Sequence, residues 1–350
     1  MNKKLLSALK ILFFLSIGIF FIWIFLRKLT PEQKLDIWNS FIHADFRWLF
    51  VALVIGFFSH LIRAVRWRML LEPIGYKPGL TNTFLAVMIG YFANMALPRL
   101  GEVTRCGVLN KYERIPLNKS IGTVIVERSI DMVVFIVLFF IDLIVFFDKL
   151  ETYVDEKVYA PLSEKFSFGN ESTFYLTVLI VIAGFFLLLF LIFRKKVVKS
   201  GFYLKINELL VGFWHGLWSV SKIKKPFSFI FQSFLIWILY FLMIYVCIFS
   251  LPETSHLGIG AGLSMLLFGS IGIMIVQGGI GIYPAIIAET LAIYGIQATT
   301  GYALGWLTWT AQTILIVIIG IISLIILPVL NKKQQYEKTG DHSIENIKGS

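Results

Sequence analysis

Long apolar runs separated by short polar intervals set the pattern of this chain. The runs cover residues 11–26, 48–62, 80–97, 121–147, 174–193, 227–251, 257–296 and 302–330. Stretches approaching twenty apolar residues read as membrane-spanning helices, whereas a transmembrane β-barrel would show short alternating segments. Two intervals carry helical-period stripes instead. Leu35, Trp38 and Ile42 line one face of 31–44, and Ile206, Leu209, Leu210, Phe213, Trp214 and Leu217 line one face of 202–218. Both are expected to lie in the membrane interface as amphipathic helices.

Charge decides how the runs thread. If 80–97 and 257–296 enter and leave on one side, 25 of the 32 Lys and Arg residues fall on the cytoplasmic side and 7 outside. A full crossing at 80–97 would put the basic cluster from Arg99 to Lys119 outside, against the positive-inside rule. The expected fold class is therefore an all-α polytopic membrane protein of eight hydrophobic segments, about six full spans plus two re-entrant hairpins. Both termini are expected in the cytoplasm, at the cell inner membrane. Residues 1–147 then read span, interfacial helix, span, hairpin, span, and 174–330 repeat this with every direction reversed. Such inverted-topology repeats form a substrate site where their broken helices meet. Residues 1–330 are expected to be a single integral-membrane domain, and 331–350 a disordered cytoplasmic tail.

Composition narrows the function. With 57% hydrophobic and 15% charged residues and a mean hydropathy of +0.80, no interval is long enough for a soluble domain. The net charge of +11 does not indicate nucleic acid, because the basic residues flank membrane runs and suit anionic headgroups. Cys106 and Cys247 lack a metal or redox spacing. The five histidines do not cluster, so neither metal nor cofactor is expected.

Two polar stretches abut these runs: Pro98-Arg99-Leu100-Gly101-Glu102-Val103-Thr104-Arg105 and Glu127-Arg128-Ser129-Ile130-Asp131. Ionisable groups at such positions face a bundle interior or wet cavity and pair with one another, or they are ordinary juxtamembrane charge. Helical spacing offers local pairs: Arg99 or Arg105 for Glu102, and Arg128 for Asp131, which a basic residue of the first hairpin would also suit. Further on, Gln277-Gly278-Gly279-Ile280-Gly281 and Pro284 cannot make an uninterrupted helix. Irregular backbone at membrane depth lines a cavity or packs within protein, so this second hairpin is expected to wall the substrate site. Gly258, Gly260 and Gly262 are read instead as close helix-packing positions.

These residues resemble the lysylphosphatidylglycerol synthase transmembrane-domain family. The resemblance rests on Arg66-Trp67, on Asn94 with Pro98-Arg99-Leu100-Gly101-Glu102 and Arg105, on Glu127-Arg128 with Asp131, and on Gly278-Gly279-Ile280-Gly281. Family members commonly place a Glu after the glycine motif; here Tyr283-Pro284 stands there, and Glu289 follows later. The resemblance implies lipid translocation, with these residues and Tyr283 holding an anionic headgroup. It also implies no lysyl-lipid synthesis, since only a 20-residue tail follows Leu330. Expected partners are membrane lipids and separate lipid-modifying or glycan-pathway enzymes. Two other functions stay open: a polyprenyl-phosphate-dependent glycosyltransferase with Glu102 or Asp131 as base, and a non-catalytic membrane partner.

Overall fold

The computed structural model describes residue 16 and residues 19–27, 29–96, 100–146 and 223–348. Outside them lie most of the first run, Pro98 and Arg99, the acidic interval 148–172, the run 174–193 and the second interfacial stretch 202–218. The described residues are helical, with short 3-10 turns and no strand.

Helix α1, Pro31–Ile42, starts at a capping box in which Thr30 and Gln33 satisfy each other's backbone N–H. Its apolar stripe is bare: Leu35, Trp38 and Ile42 are all exposed, and only Ile37 is buried. That is the face an interfacial helix gives to lipid. Asp45 caps α2, Phe46–Leu71, by accepting from the Arg47 N–H. Helix α3 is Leu80–Ala96, α4 is Leu100–Glu113 and α5 is Leu117–Val145. Then come α6 (Pro226–Cys247), α7 (Ile259–Ile275), a 3-10 turn at Gln277–Gly279, α8 (Ile282–Ala292) and α9 (Ala298–Lys348). By length and hydropathy, Phe46–Ile74, Pro226–Ser250 and Ala298–Lys332 can each cross a bilayer.

The first hairpin differs from expectation. The run 80–97 does not fold back on itself; α3 is one continuous helix of 17 residues, and the return arm is α4, the charged stretch itself. Polar composition hides α4 from a hydropathy reading. Its buried residues Gly101, Arg105, Cys106 and Leu109 nevertheless form one stripe that docks on α3. The two backbones almost touch: a Cβ added to Gly101 would overlap the carbonyl oxygen of Gly90. Across the same seam, Asn94 Oδ1 accepts from the Gly101 N–H at 2.7 Å, which satisfies an amide of the first helical turn.

The second hairpin breaks where glycine is required. Gly278, Gly279 and Gly281 have φ of +69°, +72° and +73°, a region costly to residues with a Cβ. Trp309 secures the break by donating its indole N–H to the Gly278 carbonyl at 2.6 Å. Tyr283 is buried against Gly269, and the Gln277–Gly279 turn packs on α3. The tip of one hairpin thus rests on an arm of the other.

Helices α2 and α6 pair antiparallel, with Trp48 near Phe249, Gly56 at Met243 and Arg66 at Ser233. Each precedes a broken hairpin and a further long helix. Helix α9 holds both hairpins. Gly301 and Gly305 let Ala288 and Pro284 approach its backbone, while Gly320 receives Phe92 and Asn331 pairs with Asn82. It runs on past Leu330 to Lys348.

Candidate functional site

Three helices converge their charges in the interior. On α2, Arg63, Arg66 and Trp67 share a face through i,i+3 and i,i+4 spacing; on α5, Glu127 and Asp131 do the same. Helix α4 adds Arg105. All five ionisable residues are buried, and Arg66 and Glu127 are completely so. Arg63 Nη1 donates to Glu127 Oε1 at 2.5 Å and to Asp131 Oδ2 at 2.9 Å. Arg66 Nη2 lies 2.7 Å from Asp131 Oδ1 and 3.5 Å from Glu127 Oε1. Arg105 Nη1 reaches Glu127 Oε2 at 3.2 Å.

Neutral groups frame the charges. Tyr240 Oη on α6 accepts from Arg63 Nε and Nη2 at 3.2 and 3.1 Å and lies 3.3 Å from Tyr91 Oη. Arg66 Nη1 donates to Ser233 Oγ at 3.1 Å. The Arg105 guanidinium stacks on Trp67, 4.5 Å from the ring centroid. Trp67 is fixed in turn by donating to Thr123 Oγ1 at 2.9 Å. At the rim, Arg128 Nη2 donates to Glu102 Oε1 at 2.9 Å, both side chains partly exposed.

This network replaces the local pairing expected from spacing. Glu102 pairs with Arg128 of α5 and not with Arg105, while Asp131 pairs with Arg63 and Arg66 of α2 and not with Arg128. Buried charges choose the partner that shares their burial, and Arg105 faces the core whereas Glu102 faces the rim. Of the predicted residues, Arg66, Arg105, Glu127 and Asp131 meet in one cluster. Asn94, Glu102 and Arg128 line a small space beside it. Gly278, Gly279, Gly281 and Tyr283 lie at the other hairpin, and among the described residues no hydrogen bond or ion pair joins them to the cluster. Arg99 lies outside the described residues. Sequence reasoning passed over Arg63, Tyr240, Tyr91 and Ser233. Arg63 carried a signal, the i,i+3 spacing to Arg66; the other three look like ordinary residues of apolar helices.

Among the described residues the cluster is not electrically balanced. Three guanidiniums face two carboxylates, and the rim pair Glu102–Arg128 is neutral as a unit. Arg66 Nε and Arg105 Nε and Nη2 are buried without an acceptor among the described residues. Buried donors of this kind are normally satisfied, and the Arg fork suits a phosphate or carboxylate. The space beside Arg105, lined by Gly90, Asn94, Gly101, Glu102 and Arg128, is about 10 Å³, room for roughly one water.

Residues 7–320 match the family model described as the lysylphosphatidylglycerol synthase TM region. Among curated proteins, the UPF0104 membrane protein MJ1595 of Methanocaldococcus jannaschii is 31% identical over 98 residues, covering 27% of this chain and 29% of that protein. The match thus spans less than a third of the relative's length. No solved structure matches the chain. A family match over most of the length, together with helices long and apolar enough to cross a bilayer, identifies the chain as a membrane protein belonging to the lysylphosphatidylglycerol synthase TM region family.

Proposed function

We propose that this protein translocates, or presents, an anionic lipid headgroup, of a phospholipid or a polyprenyl-phosphate-linked lipid, across the cytoplasmic membrane. The observation that carries this reading is the buried surplus positive charge among the described residues, with Arg66 and Arg105 donors left without acceptors there. An anion arriving there gains those donors and balances the charge. Glu127 and Asp131 hold the arginines in place while the site is empty. The order of helix, broken hairpin and long helix, met twice around antiparallel α2 and α6, supports inverted halves that offer the site to each side in turn. Glu102 and Asp131, the acids a glycosyltransferase would use as base, already bind guanidiniums, which favours an anion site over base catalysis.

The test is transport of headgroup-labelled anionic lipid in liposomes containing the purified protein. Arg105→Lys keeps the charge but loses the planar fork. A charge-assisted hydrogen bond is worth about 1.5–3 kcal/mol, so transport at sub-saturating lipid is expected to fall by roughly 10- to 100-fold while the protein stays folded. Arg99→Ala together with Arg105→Ala is expected to abolish it. No acceleration by the wild type over protein-free vesicles, across phosphatidylglycerol, aminoacylated and polyprenyl-phosphate lipids, would defeat the reading.

Orientation follows from charge. In intact cells, a cysteine replacing Glu156 is expected to react with an impermeant thiol reagent, and one replacing Lys111 is not. Equal labelling from outside would reverse the assignment of both loops and of the cytoplasmic termini.

A further inference from the structure

A second polar knot lies about three turns along α5 from Asp131, and the transport site makes no use of it. Asp142 sits near the end of α5 and is 4% exposed. Its neighbours Ile141, Ile144 and Val145 are exposed apolar residues, so the carboxyl is buried behind an apolar outer face of α5. Ser264 Oγ of α7 is 3.0 and 3.2 Å from the two Asp142 oxygens and 2.8 Å from Tyr294 Oη. A cavity of about 20 Å³, lined by Asp142, Phe146, Ser264, Phe268 and Tyr294, adjoins the group and has room for a water.

The mirrored knot makes the contrast. At the base of the first hairpin, Glu113 accepts from the Gly79 N–H at 3.1 Å and the Asn82 amide at 2.7 Å, and Asn82 also pairs with Asn331 of α9. That carboxylate is well supplied with donors. Asp142 receives a single hydroxyl, and no cation lies within ion-pair distance among the described residues. Among the described residues of the elements packed against it, α7 and the residues after α8, the titratable group facing it is Tyr294. Burying a charge with so little to offset it is costly, and a buried ionisable residue on a membrane-spanning helix is a candidate ion or proton site. Uptake of one proton removes that cost and leaves the hydroxyl chain in place. The two knots sit about 30 residues apart along α9, judged from Gly301 at one hairpin base and Asn331 at the other, or roughly 45 Å of helix.

We propose that Asp142 is a proton-binding site whose carboxylate, neutralised by a proton, keeps the α7–α8 hairpin docked on α5, and whose release of that proton frees the hairpin. The proton comes from hydronium in the adjoining cavity, leaving water, and returns to water on release; no other bond changes. The role of this site in driving transport rests on the lipid-translocation reading, whereas the site itself does not.

Infrared difference spectra of the purified protein in phosphatidylglycerol–phosphatidylethanolamine vesicles, cycled in pH, test the site directly. A C=O stretch from a protonated carboxyl is expected. It is lost in Asp142→Asn, shifted in Ser264→Ala, and unchanged in Asp36→Asn on the exposed face of α1. Identical spectra for the wild type, Asp142→Asn and Ser264→Ala overturn the proposal. The Ser264→Ala shift decides the matter even where Asp142→Asn folds poorly. In lipid transport, a pH gradient is expected to speed the wild type severalfold and leave Asp142→Asn at its gradient-free rate. Absence of transport with the infrared band intact would remove the translocation reading and leave the proton site standing.

Discussion

Glu127→Gln is expected to destabilise the protein by about 3–5 kcal/mol, the usual cost of leaving buried charges without their partner. The residue is fully buried and lies within 3.5 Å of three guanidiniums, those of Arg63, Arg66 and Arg105. The amide keeps the shape but withdraws the negative charge, so the cluster goes from one surplus positive charge to two. Glu102→Gln is the matched control. Its partner Arg128 and it are 43% and 26% exposed, and such a pair contributes about 1 kcal/mol or less. Reversible thermal or denaturant unfolding in detergent separates the two. If Glu127→Gln and Glu102→Gln unfold at the same midpoint, the cluster does not hold α2, α4 and α5 together.

The Gly101–Gly90 seam should be nearly as unforgiving. In Gly101→Ala the new methyl would overlap the Gly90 carbonyl oxygen and crowd the Asn94 side chain. A backbone oxygen cannot swing aside as a flexible side chain does, so α4 must move away from α3. That breaks the Asn94–Gly101 hydrogen bond and withdraws Arg105 from Glu127. Overpacking alone costs about 1–3 kcal/mol, and losing the Arg105 contact adds to it. Gly107 lies on the same helix with nothing near its Cβ position, so Gly107→Ala should be neutral or stabilise by up to about 1 kcal/mol through helix propensity. Comparing expression yield and unfolding midpoint of the two variants checks this. Equal midpoints would mean that the α3–α4 contact does not need glycine.

Sequence pattern and structure agree where one local requirement dominates. The Gly278–Gly281 break is visible in sequence because three glycines in positive φ have few substitutes, and α1 is visible because its stripe has helical period. By hydropathy the run 48–62 stops at Arg63, with Arg66 and Arg68 beyond, as if arginine ended the span. The helix instead continues to Leu71 and buries two of them, because Glu127 and Asp131 arrive from α5 to neutralise them. The charge that marks a boundary in one dimension marks an interface in three. The same blindness hid α4: nothing within Leu100–Glu113 reports that Gly90 waits across the seam. Nor can spacing choose between a partner one turn away and one on another helix, and Glu102 takes Arg128 of α5 and not Arg105.

The bond between Asn82 and Asn331 joins residues 249 positions apart, and this bears on the order in which the chain is made. The first hairpin leaves the ribosome well before the helix that covers its flank, from Gly320 to Asn331. Until then Phe92, Leu85 and the Asn82 amide have no α9 to meet. Closing so long a loop carries an entropic cost before any contact repays it, and long-range closure of this kind slows folding. The first hairpin therefore stays incomplete until α9 follows it, and that interval is when this membrane protein is most open to misassembly.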